Sequence, residues 1–197
     1  MAVEITEELV WQSIPRRARD SHKGTFGSVL AVAGSAFYRG AALLAAEGAL
    51  RTGAGIVTLA SVEPVVSAAV TRLPECCLCP CKEGAQGGIA PENVPLLRRQ
   101  KATVLLLGPG LGGTAQSAAR ATETRTLVQQ LLPGFVGAAV LDADGLNAAA
   151  QLLAEGKPFP HPAACHTAHS TSFSALESFF RAASRRRAVR LSAQRSR

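Results

Sequence analysis

Three apolar runs constrain this chain most, because each closes directly on a glycine or an aspartate. Residues 28–33 (SVLAVA) run into Gly34, residues 104–107 (VLLL) into Gly108, and residues 138–141 (AAVL) into Asp142. Runs this short, bounded by turn residues, read as buried strands. Residues 55–60 (GIVTLA) form a similar run. Between them lie Ala- and Leu-rich segments that read as helices over 41–51, 64–73 and 115–132. The first of these stops before Gly53 and the last at Pro133-Gly134. A short capped helix is expected over 6–11. Strands alternating with helices predict βαβ units and a mostly parallel central sheet between helical layers, an α/β fold. Ligands of such sheets bind at the carboxyl ends of the strands. The turns at Gly34, Gly108, Gly110 and Asp142 should therefore line one crevice.

Composition narrows the class. At 197 residues and 47% hydrophobic content, the chain builds one domain with a sizeable core. No run approaches the roughly 18 apolar residues of a membrane helix. Residues 1–11 are acidic and alternating and do not read as a signal peptide. A cytoplasmic protein is expected.

The net charge of +7 suggests nucleic acid, but its distribution does not. Seven arginines lie at or beyond Arg181, with no acid among them. Removing them from the 21 basic residues leaves 14, against 14 acidic ones. No aromatics interleave with them to stack bases, so no nucleic-acid partner is expected. Cys76, Cys77, Cys79 and Cys81 crowd together and Cys165 stands alone. Their run CC-x-C-x-C resembles no common zinc spacing. They read as a strand of small, semi-buried thiols in a reducing compartment.

Four segments carry candidate chemistry. Gly108-Pro109-Gly110-Leu111-Gly112-Gly113 follows a strand and precedes a helix, whose start offers N–H groups to anionic oxygens. It departs from the dinucleotide fingerprint, because Pro109 intervenes and no acid follows about 20 residues on. A tight strand–helix turn is the alternative. Gly34-Ser35 and Arg39-Gly40-Ala41-Ala42 form a second loop, with room for a flat ring or sugar, or merely for close helix packing. Asp142 and Asp144 pair two carboxylates at a strand end, next to Asn147. They suit Mg²⁺ or a positioned water, unless Asp144 caps a helix starting at Gly145. His22-Lys23-Gly24 precedes the first strand, as surface groups or as phosphate contacts from a lid.

The order of the motifs resembles a known family. S-H-K-G-x-x-G stands at 21–27, A-G-S at 33–35, G-A-A at 40–42, L-R-T-G-A-G-I-V-T at 50–58, L-P-E at 73–75, G-P-G-L-G at 108–112 and V-L-D-A-D-G-L-N at 140–147. Together they resemble the bacterial ADP-dependent NAD(P)H-hydrate dehydratases over about residues 6–150. The resemblance implies a ribokinase-like three-layer fold, incomplete at the C-terminus. It divides the chain into a dehydratase portion, 1–150, and a divergent basic tail, 151–197.

It also implies an activity. ADP, or ATP, with Mg²⁺ drives loss of water from hydrated NADH or NADPH, activating the ring hydroxyl by phosphorylation. The substrate would lie against Ala41, Ala42, Gly108, Gly110 and Gly112, with Asp142, Asp144 and Asn147 on the metal or phosphate side. A homo-oligomer, tetrameric in the family, is expected. After Asn147 the pattern departs. The family's T-P-H-P-G-E-F has its best counterpart in residues 167–173, which makes His169 the substrate-touching histidine; Pro160-His161-Pro162 is the alternative. The late G-T-G-D motif, whose Asp is the family's catalytic base, is absent, so no catalytic residue is assigned. The tail reads as a truncation or a shifted reading frame, and impaired turnover is expected. The alternatives are a non-catalytic remnant that still binds a nucleotide, and a ribokinase-family kinase of a small alcohol.

Overall fold

A computed structural model describes residues 4, 6–13, 17–157 and 164–166. In chain order the elements are α1 (Glu7–Ser13), β1 (Ser28–Val32), α2 (Arg39–Arg51), β2 (Ile56–Val62), α3 (Glu63–Arg72), β3 (Cys77–Cys81), α4 (Val94–Arg98), β4 (Val104–Leu107), α5 (Ala118–Leu131), β5 (Ala138–Leu141), α6 (Ala143–Ala154) and β6 (Ala164–His166). All expected strands and helices form, with ends shifted by a few residues. The short α4, which carries Pro95, has no sequence counterpart in the reading above; five residues hold too little periodicity to be seen.

The six strands are ordered β3-β2-β1-β4-β5-β6, every neighbouring pair parallel. The order reverses between β1 and β4, where Val29 pairs Val104 and Val32 pairs Leu107. Right-handed crossovers put α2 and α3 on one face and α5 and α6 on the other. The packing agrees: α2 meets α3, and α5 meets α6. Both faces are covered, so Leu30, Ala31 and Val32 are all fully buried. Small residues let the layers approach. Ala42 and Ala46 of α2 are fully buried, and a Cβ on Gly34 would come within 2.8 Å of that of Ala42.

His22 and Lys23 lie at the opposite end of the sheet from the crevice, just before β1 starts at Ser28. His22 caps the 3-10 turn Lys23–Phe26, its Nδ1 accepting from the Gly24 amide at 3.1 Å. Gly55 must be glycine because a Cβ there would overlap the Lys23 carbonyl oxygen. The lid-to-phosphate reading of this motif is thereby corrected: its spacing serves a turn that β2 packs against.

The cysteine strand is β3. Cys76, Cys79 and Cys81 are buried and Cys77 is exposed. Burial pushes the Cys81 thiol up to about 12 and raises Cys76 and Cys79 as well. Of these four, Cys77 alone should be alkylated by iodoacetamide in the native chain at neutral pH, at least about tenfold faster than the others. Peptide mapping after a short pulse checks this; comparable labelling of Cys79 or Cys81 would contradict the burial described.

Candidate functional site

The crevice sits at the reversal point of the strand order, where ligands of open parallel sheets bind. Its walls are backbone. Past β1, Gly34 takes a left-handed φ of +83° and donates its N–H to the Pro109 carbonyl at 2.8 Å. Past β4, Gly108, Gly110 and Gly112 take φ of +134°, +67° and +91°. A Cβ on Gly108 would overlap the Asp142 carbonyl oxygen, and one on Gly145 the Leu107 carbonyl oxygen. A Cβ on Gly110 would lie 2.8 Å from the Tyr38 carbonyl oxygen and 2.9 Å from the Ala41 Cβ. The structure thus brings together Gly108, Gly110, Gly112, Ala41 and the Asp142–Asn147 segment. Fully buried Ala42 faces Gly34. β6 pairs with β5, Leu141 opposite His166. His169 and residues 160–162 lie outside the described residues.

Two expectations about local structure are corrected. Helix α6 begins at Ala143, so Asp142 and not Asp144 stands at the N-cap position. Asp144 instead turns back onto the glycine turn, where its Oδ2 accepts the Gly112 N–H at 2.8 Å. Nor does a helix start directly after the turn: α5 begins at Ala118, capped by Ser117. The turn's own N–H groups are largely occupied. Gly108 donates to Val32, Leu111 to Gly108, and Gly113 to the Gln116 Oε1 at 2.7 Å. Apart from glycine, only Ala143 among the described residues has a positive φ, at 44°. That left-handed start of α6 stores local strain of the kind found at ligand sites.

The electrostatics follow from burial. Desolvation raises the Asp144 carboxyl above the ordinary carboxylate value, opposed by the Gly112 N–H and by Arg120. The charged form is therefore the costly one. Stability should fall as pH rises from the unfolded Asp value through the raised folded value. Asp144→Asn keeps an acceptor for Gly112. It should melt higher than wild type at neutral pH and converge with it in acid. A lower melting temperature for Asp144→Asn at neutral pH would contradict this.

One Asp144 oxygen accepts the Gly112 N–H, and among the described residues no three His, Cys, Asp or Glu side chains gather as a cage; Mg²⁺ with a nucleotide commonly needs only one or two carboxylates beside the phosphates. Beside the turn, a groove of about 200 Å³ runs between α5 and α6, lined by Gly112, Gly113, Thr124, Asp144 and Asn147 among others.

Sequence reasoning passed over Arg120. It is 1% exposed on α5, with Nη1 on the Glu123 carboxylate at 2.6 Å and Nη2 on the Thr124 hydroxyl at 3.1 Å. Arg120 and Arg125 stand in an Ala- and Thr-rich helix, where arginines read as surface groups. Gly88, against which Arg120 packs, was the available signal.

Comparison with known proteins gives the family and the fold. The family described as NAD(P)H-hydrate dehydratase matches residues 29–196. The chain is 36% identical over 163 residues to the ADP-dependent (S)-NAD(P)H-hydrate dehydratase of Listeria monocytogenes, covering 82% of this chain and 52% of that one. It is 40% identical over 131 residues to the bifunctional NAD(P)H-hydrate repair enzyme Nnr of Gloeobacter violaceus, covering 66% and 24%. A ribokinase-like superfamily protein of Enterococcus faecalis superposes with TM-score 0.69 at 22% identity, over 87% of this chain and 55% of that one. The ADP/ATP-dependent NAD(P)H-hydrate dehydratase of Bacillus subtilis, co-crystallised with ATP/Mg²⁺, superposes with TM-score 0.55 at 30% identity, over 72% and 46%. The fold is ribokinase-like. The chain spans about half of the Listeria protein and about a quarter of the Gloeobacter one.

Proposed function

The chain belongs to the NAD(P)H-hydrate dehydratase family, and from that premise we propose that its crevice receives hydrated NADH or NADPH for ADP-dependent dehydration. The observation that carries the reading is the meeting of the Gly34 and Gly108–Gly112 turns with the start of α2 at the strand-order reversal, where ligands of open parallel sheets bind. Ala41 and Ala42 at the start of α2, with Gly108, Gly110 and Gly112, form the substrate floor in this reading, and His169 supplies a side-chain contact. Asp144 and Asn147 border the groove that continues from the turn.

In this reading, loss of water from the reduced ring needs its hydroxyl made a better leaving group. The terminal phosphoryl of ADP, or ATP, moves to that oxygen. The carbon–oxygen bond then breaks, the oxygen leaving as inorganic phosphate, as a ring proton is lost and the double bond is restored. Mg²⁺ travels with the nucleotide, as it does in many phosphoryl-transfer sites. The residues of this chain orient the ring and exclude water around it. No G-T-G-D sequence occurs in the 197 residues, which supports substrate binding with impaired turnover for this chain alone.

No described helix is long and apolar enough to cross a bilayer. Cytoplasmic location and homo-oligomer formation belong to the proposal. The test is recovery of absorbance at 340 nm from hydrated NADH with ADP and Mg²⁺. The 197-residue chain should show a ligand-induced rise in melting temperature and recovery far below that of a longer relative. A chain that shows neither a melting shift nor any recovery would overturn the reading.

A further inference from the structure

Two loops wall the crevice on either side of the strand-order reversal, and one buried side chain touches the supports of both. The first support is the Gly112 peptide. Its N–H is held by Asp144, and its carbonyl accepts the Thr124 hydroxyl at 2.6 Å. Thr124 accepts in turn from Arg120 Nη2. The Arg120 stem and Nε face the same glycine: a Cβ on Gly112 would meet Arg120 Cγ at 3.1 Å and Nε at 3.3 Å. Nε has no hydrogen-bond partner among the described residues.

The second support is the loop 83–89. The Arg120 guanidinium lies flat against Gly88, where any Cβ would overlap it. Its partner Glu123 would meet a Cβ on Gly84 at 2.9 Å. Ser117, which caps the Arg120 amide, donates to the Gln86 Oε1 at 3.2 Å. This loop carries the Gly34–Tyr38 wall. Gly88 bridges Ser35, and the Gly87 carbonyl accepts the Ala36 N–H at 2.7 Å.

We propose that Arg120 is the positioning residue that fixes the separation of the two glycine walls and so tunes the affinity of the crevice for its dinucleotide. A desolvated guanidinium is an expensive choice for a structural contact, and apolar residues often replace such pairs without loss of stability. What the planar fork supplies is simultaneous contact with both loops from one buried group, beside the single Ser117–Gln86 bond and the Gly34–Pro109 bond. Lysine, a point charge on a flexible stem, cannot hold both.

The inference about affinity rests on the proposed function; the inference about loop registration does not. The test is amide hydrogen exchange on the whole 197-residue chain, as wild type, Arg120→Lys and Thr124→Val, beside titration with hydrated NADH. Arg120→Lys should speed exchange at Gly113 and at the Gly84, Gly87 and Gly88 amides about tenfold relative to the Leu30 and Val32 amides, the scale of one lost charge-assisted hydrogen bond. Thr124→Val should affect the Gly113 amide and leave loop 83–89 unchanged. The dissociation constant for hydrated NADH should rise about tenfold in Arg120→Lys. Loop exchange that merely tracks Leu30 and Val32, or loosened loops with unchanged affinity, would overturn the proposal. A wild-type chain that binds no hydrated NADH would overturn the proposed function, and the exchange pattern would still decide the registration.

Discussion

Gly108→Ala should leave little native protein. Two penalties act together. At φ of +134°, an L side chain is strained by about 1–3 kcal/mol. The added Cβ would overlap the Asp142 carbonyl oxygen and press on Gly145, whose Cα would lie 2.9 Å away. These neighbours are backbone, so no rotamer change relieves them. Relief requires α6 to move off β4, which breaks the Asp142 N–H bond to Leu107 and disturbs the buried Leu146 and Ala149. A loss of at least about 4 kcal/mol is expected, placing the variant among the rare severe substitutions. Gly145→Ala attacks the same seam from the other side and should behave alike. Chemical denaturation read by far-UV circular dichroism checks both. A Gly108→Ala chain within about 1 kcal/mol of wild type would show that the seam opens more easily than its geometry implies.

Arg120→Ala should be the next most damaging. It removes a stem packed against Gly88 and Gly112 and strands Glu123, whose side chain is 23% exposed. Breaking a buried pair by deleting one partner costs about 3–5 kcal/mol. Partial exposure of Glu123 places the expected loss near the lower end, about 3 kcal/mol. For a chain of this size that lowers the melting temperature by about 10 °C. The double variant Arg120→Met with Glu123→Gln should recover part of the loss, since it leaves no uncompensated charge. Thermal melts of the single and double variants measure this. A double variant as unstable as Arg120→Ala would mean that packing against Gly88, rather than charge, dominates.

The architecture was legible because its signals are local. A run such as 104–107 closed by Gly108 states both the strand and its end, and three such endings predict a crevice before any coordinate is known. The family resemblance extended the reading to Ala41 and Ala42, whose smallness has a visible cause in Gly34 and Gly110. What was not legible depends on contacts between distant segments. Gly108 and Gly145 belong to separate motifs, and nothing in either says that they touch. The glycine turn looked like an open cradle of N–H donors, yet Asp144 and Gln116 occupy two of them. Asp144 was read as a possible cap by its distance from Gly145, but the helix begins two residues earlier, at Ala143. Arg120 was invisible because burial of a guanidinium is decided by the fork's partners, Glu123 and Thr124, and by the missing side chain of Gly88.

Calorimetric titration of hydrated NADH into the purified chain, beside the Ala41→Leu variant, tests the central claim most directly. Ala41 is half-buried against Gly110, so a leucine there should crowd the crevice wall, with far-UV circular dichroism reporting that the variant stays folded. Saturable binding with a dissociation constant below about 1 mM, weakened at least about tenfold by Ala41→Leu, is the result predicted. A folded wild-type chain that takes up no hydrated NADH, or binds it equally well with Leu at position 41, would contradict the account.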